Sequence, residues 1–129
     1  MNEIEKLLEE SRRGDLESLR KLLFILIDYI PPGIDNMILL FEDAQRSVYL
    51  SSEGVKSVMI ARGEFLPFIE SHMMNLSIER LKDKDLMAIS ERLDEILKDL
   101  KNVLVRWLDH GFEEHPLYTK AKEFLEFLG

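Results

Sequence analysis

Between residues 86 and 107, apolar side chains recur at Leu86, Ile89, Leu93, Ile96, Leu100, Val103 and Trp107, in unbroken steps of three and four. A strand sends successive side chains to opposite faces, whereas a helix gathers all seven on one side. Leu97, Leu104 and Leu108 widen the stripe, Asp85 is available as a cap and Gly111 as a terminator. An amphipathic helix draws its stability from what covers its apolar face, so the remainder of the chain must supply that cover. With 129 residues, the chain has enough material for a single core.

The other segments also read as helices. Ile4, Leu7 and Leu8 suggest a short one from about 3 to 12, and Asp15 caps a second that carries Leu16, Leu19, Leu22, Leu23 and Leu26. After Pro31-Pro32-Gly33, Asp35 opens a third on Met37, Phe41, Ala44, Val48, Val55 and Met59, with a serine at 51 or 52 filling the missing step. Gly54 is its weak point, costing up to about 1 kcal/mol in a helix interior. The competing reading there is a small hairpin of residues 47–50 with 55–60. Pro67 suits the first turn of a helix bearing Phe68, Ile69, Met73 and Leu76, and Pro116 starts the last, with Tyr118, Ala121, Phe124, Leu125 and Leu128 on one side. No composition shift or linker divides the chain. The expected fold is all-α, a single antiparallel helical bundle over 1–129 with four main helices and two short ones.

Charge narrows the partners. Seventeen basic against 25 acidic residues leave a net charge of −8, which opposes binding to a phosphate backbone or an anionic membrane. Arg12, Arg13, Arg20 and Lys21 form the one basic cluster on which a nucleic-acid helper role could rest, but Glu9, Glu10, Asp15 and Glu17 interleave with it, the pattern of a solvated, salt-bridged face. Cysteine is absent, which removes disulfides, thiolate metal sites and Cys nucleophiles. The longest apolar run, Leu22 to Ile27, falls far short of a membrane span, and the acidic start is unlike a signal peptide, so a cytoplasmic address is expected. A single Gln and four Asn beside abundant Glu, Lys and Arg give a thermophile-like composition.

Motifs for chemistry are scarce. The three histidines, His72, His110 and His115, build neither Glu-x-x-His nor His-Glu-x-x-His, and no glycine-rich phosphate loop or nucleophile elbow occurs. His110, Glu113, Glu114 and His115 share one loop and are the candidates for a metal or small-ligand site. Arg106 and His110, with three residues between them, fall short of the Arg/His spacing of HEPN-type ribonucleases and suit a helix C-terminus instead. No catalytic residue and no cofactor is assigned.

Two segments look apolar on every side as helices: Leu22 to Ile27 and Met37 to Phe41. A surface helix leaves one side polar, so these segments are either a central hairpin wrapped by the remaining helices or, as expected here, a homodimer interface on Leu22, Phe24, Ile25, Ile27, Met37, Ile38, Leu40 and Phe41. Met59, Met73 and Met74, grouped with Phe65 and Phe68, read as core filler, with the lining of an adaptable groove as the alternative. The expected function is a non-catalytic interaction or scaffolding module that holds a second copy of itself and another protein.

Overall fold

A computed structural model describes residues 2–62 and 69–129. It overturns the all-α bundle. The described residues form five α-helices and a four-stranded antiparallel sheet, a mixed α/β fold. Helices α1 (Asn2–Arg12) and α2 (Leu16–Leu26) come first, followed by strands β1 (Ile38–Glu42), β2 (Arg46–Ser51), β3 (Gly54–Arg62) and β4 (Ile69–Leu76). Helices α3 (Asp83–Glu91), α4 (Leu93–Asp109) and α5 (Leu117–Leu128) close the chain. The strands are ordered β1-β2-β3-β4, each antiparallel to the next.

The segment expected to be one helix from 35 to 62 is therefore three strands, and β4 lies where the helix after Pro67 was expected; Pro67 and Phe68 themselves are outside the described residues. The physical reason is period. Ile38, Leu40, Val48, Leu50 and Val55 are buried, and between them Leu39, Tyr49 and Lys56 are only partly so. That alternation of two matches the sequence without needing a serine to fill a gap. Gly54 is the punctuation of a hairpin: its φ of +123° lies where side-chain-bearing residues are strained, and it closes the two-residue turn Ser52-Glu53. The Ser51 hydroxyl donates to the Gly54 carbonyl at 2.9 Å and accepts the Glu53 N–H at 3.2 Å. At the β1–β2 turn the Asp43 carboxylate accepts the N–H groups of Gln45 and Arg46 at 2.9 and 3.0 Å. Those two bonds, with the Arg46 charge behind them, hold its pKa below the ordinary aspartate value.

Between Leu39 and Phe41 the β1–β2 register slips by one residue, so Leu40 and Phe41 are both buried although they are neighbours in sequence. This bulge is why residues 37–41 look apolar in every direction when read as a helix.

Helices cover one face of the sheet. The expected stripe lies in the interior: Leu86, Ile89, Leu93, Ile96, Leu100, Val103 and Trp107 are all buried. It is carried by two helices where one was expected, because the backbone turns out of helical geometry at Arg92 (φ −107°, ψ 10°). Both α3 and α4 pack on β1, α2 packs on α1 and α3, and α5 packs on α4. Tyr29 stacks on Phe124 at 4.2 Å and seals α5 to the end of α2. Asp15 caps α2 as expected, accepting the Ser18 N–H at 3.1 Å.

Three arginines fasten helices to strands and turns. Arg92, at the α3–α4 corner, donates from one nitrogen to the carbonyls of Leu39 and Leu40, at 3.0 and 3.1 Å, at the β1 bulge. Arg46 of β2 reaches Asp85 at 3.0 Å, whose side chain is only 8% exposed in the first turn of α3 and also accepts the Lys82 N–H. Arg20 of α2 donates to the carbonyls of Ile78 and Leu81, at 2.5 and 3.1 Å, fixing the turn between β4 and α3.

Two substitutions separate these contributions. Leu100→Ala should destabilise the fold by about 2–5 kcal/mol through lost burial and a cavity. Arg92→Met should cost about 1–3 kcal/mol by leaving two carbonyls at the bulge without their charged donor. Urea unfolding measures both; a loss under about 0.5 kcal/mol for Arg92→Met would show that the bulge does not need its donor.

Candidate interaction surface

A four-stranded meander has two edges, and here they are treated differently. The β1 edge is short, five residues, kinked by the bulge, flanked by α3 and α4, and supplied with a donor by Arg92. The β4 edge is eight residues long and pairs with β3 along its whole length, from Val55 opposite Leu76 to Arg62 opposite Ile69. On its other side it has no strand among the described residues. Natural sheets blunt such an edge with lysine, proline or a bulge. β4 carries no lysine or proline, and its register with β3 runs without a shift.

Among the described side chains of β4, Met73, Met74 and Asn75 are exposed, and the two methionines place apolar surface on both faces of the sheet. Met73 is 48% exposed and Met74 57% exposed, and as neighbours on a strand they point to opposite sides. Met74 shares the helix-covered side with Val55 and Ser57, but the cover ends short of it; Met59, further along that side of β3, is 46% exposed. On the open side Met73 lies opposite Val58, with Tyr49 and Leu39 in the next cross-strand row, all three partly exposed. The methionines expected as core filler are therefore surface residues. Phe65 and Phe68, grouped with them in the sequence, lie outside the described residues.

At the C-terminal end of β4 a cleft of about 570 Å³ opens between the sheet and α2. Val55, Leu76 and Ile78 form its sheet side, and Ile27 and Phe24 its helix side. Phe24 is 68% exposed, more than any other aromatic residue of the described surface. Arg20 also lines this cleft, but its guanidinium is committed to the Ile78 and Leu81 carbonyls and to Glu17 at 3.4 Å, so it shapes the wall.

The residues expected to form a dimer face are scattered by the fold. Leu22, Ile38, Leu40 and Phe41 are inside the core; Ile25, Ile27 and Met37 are half-buried; Phe24 alone among the eight is exposed. They do not sit on a helical hairpin, since 22–26 belong to α2 and 38–41 to β1. The basic cluster is also partly engaged: Arg12 pairs with Asp94 at 3.0 Å, Arg20 is the clamp just described, and Arg13 and Lys21 are exposed.

In the 110–115 loop the imidazoles are tied to backbone. His110 Nδ1 lies 2.7 Å from the Arg106 carbonyl, and His115 Nδ1 accepts the Leu117 N–H at 3.1 Å, opening α5. Glu113 and Glu114 are exposed. Among the described residues no three His, Asp or Glu side chains are grouped to hold a metal ion. No helix of the described residues is long and apolar enough to cross a membrane.

Set beside known proteins, the chain matches no family model, no curated protein and no solved structure.

The β4 edge was missed because its signal was read in the wrong period. Ser71, Met73 and Asn75 against His72, Met74 and Leu76 give neither alternating set a wholly apolar face, which is how a strand reads when both its sides reach solvent.

Proposed function

We propose that this chain is a non-catalytic protein-interaction module that pairs with a second copy of itself along β4. The observation that carries the reading is the unequal treatment of the two sheet edges: β1 is short, bulged and supplied by Arg92, while β4 is long, regular and unpaired on its outer side among the described residues. Adding a strand to such an edge forms backbone hydrogen bonds that water otherwise provides. Antiparallel pairing about a two-fold axis needs only one self-complementary strand, and a strand is self-complementary if its charges do not meet their own copies. Along β4 the acidic Glu70 lies near one end, so pairing about the middle of the strand sets it opposite the uncharged far end.

The exposed methionines suit this role, because an unbranched polarizable side chain packs against whatever the partner presents. Phe24 and the cleft at the end of β4 extend the apolar surface toward α2. A cytoplasmic setting, consistent with a chain free of cysteine, is part of the same proposal. Phosphate-backbone binding is disfavoured by the net charge of −8 and by the engagement of Arg12 and Arg20.

Light scattering tests the pairing. The wild-type chain should have twice its single-chain mass, and the double variant Met73→Asp with Met74→Asp should return to the single-chain mass while still unfolding cooperatively, since both side chains are exposed. A wild type that stays at single-chain mass at high concentration, or a double variant that remains paired, contradicts the proposal.

A further inference from the structure

We propose that the cleft between the C-terminal end of α4 and the loop before β1 binds a small heteroaromatic anion of the nucleoside monophosphate class. The cleft has a volume of about 620 Å³, within the range of small-molecule sites, and shares no lining residue with the cleft beside β4. Its wall is aromatic. Trp107 is buried, Phe112 stacks on it at 5.3 Å between ring centres, and His115 meets the same ring edge-on at 5.2 Å. Phe112 nevertheless remains 46% exposed, on a loop that has no helix or strand of its own to hold it there.

The polar groups around this wall have defined roles. Arg106 is positioned by neutral acceptors, the Asp35 carbonyl at 2.8 Å and the Asn36 side-chain oxygen at 3.3 Å, and it has no ion pair among the described residues. Its guanidinium is therefore held by neutral groups and has no carboxylate at contact distance among the described residues, although Asp35 also lines the cleft. His115 spends Nδ1 as an acceptor from Leu117, which puts the proton of the neutral ring on Nε2 and makes that nitrogen a donor. His110 faces a carbonyl, which only accepts, so its Nδ1 carries a proton and the Nε2 of the neutral ring is an acceptor.

A fixed cation, one ring donor and one ring acceptor around an aromatic wall complement a flat heterocycle that has both donor and acceptor atoms on its edge and one anionic group. A purely apolar ligand would cover the second ring nitrogens of His110 and His115 without giving either a partner, and a cation would face Arg106. A long polyanion is opposed by the chain's net charge of −8 and by the carboxylates of Glu113 and Glu114 in the same loop. A single nucleotide satisfies both limits.

Trp107 is the only tryptophan, so the site carries its own reporter. Its fluorescence is followed while AMP, adenosine or inorganic phosphate is added, with excitation at the red edge where adenine does not absorb. Saturable quenching by AMP, binding roughly tenfold weaker for adenosine, and no response to phosphate are expected. Arg106→Gln should weaken AMP binding by roughly the same factor, and Phe112→Ala, which removes a half-exposed ring from the wall, should do likewise. The absence of saturable quenching by AMP, or equal AMP affinity in the wild type and Phe112→Ala, overturns the proposal even if Arg106→Gln fails to fold.

Discussion

Every sheet that does not close into a barrel has two edges, and the backbone groups along them must bond to something. That constraint organises this molecule. At β1 the answer is internal: the register slips at Leu40, the carbonyls of Leu39 and Leu40 accept from Arg92, and the helices carrying the buried stripe close over the strand. At β4 no such device is present among the described residues, and an exposed methionine stands on each face. An edge strand left open to water either binds or aggregates, so its long regular register is the strongest functional statement the fold makes.

The helical layer depends on the same economy of polar groups. Arg92 completes the bulge because α3 and α4 meet at a corner; had the stripe run as one straight helix, that residue would lie mid-helix, where its reach to both carbonyls would not be assured. Asp85 is nearly buried, a position that is unfavourable for a lone carboxylate, and it is compensated by Arg46 from β2 and by the amide end of α3. Removing Arg46 leaves the nearly buried Asp85 carboxylate without its counter-charge, whereas Arg46, partly exposed and also near Asp43, tolerates the loss of Asp85 better. Arg20 does for the β4–α3 turn what Arg92 does for the bulge. The basic residues that looked like a patch in the sequence are in part the fasteners of the fold.

What could be read in advance follows from how many residues agree on one period. The stripe from Leu86 to Trp107 repeats often enough that only a helix fits, and its burial was legible although its break at Arg92 was not, because an apolar register continues across a corner as readily as along an axis. Residues 37–60 offered short apolar runs separated by serines, which satisfy either period with one substitution of role; Gly54 was the deciding residue, and it marks a hairpin. The bulge made the misreading worse by sending Leu40 and Phe41 inward together. The candidate sites were less legible still. His110 and His115 share a loop with two glutamates, yet one nitrogen of each ring is held by backbone, a commitment that spacing does not reveal. The β4 edge becomes visible only once strand order is known, since nothing in Ile69–Leu76 says which of its sides is covered.

Amide hydrogen exchange along β4, measured at low and high protein concentration, tests the central claim most directly. Only alternate amides of an edge strand bond to its neighbour; the others point outward and report on what lies there. Protection of the outward amides between Met73 and Leu76 should rise with concentration while exchange in β1 stays unchanged. Equal and rapid exchange of those β4 amides at every concentration would contradict it.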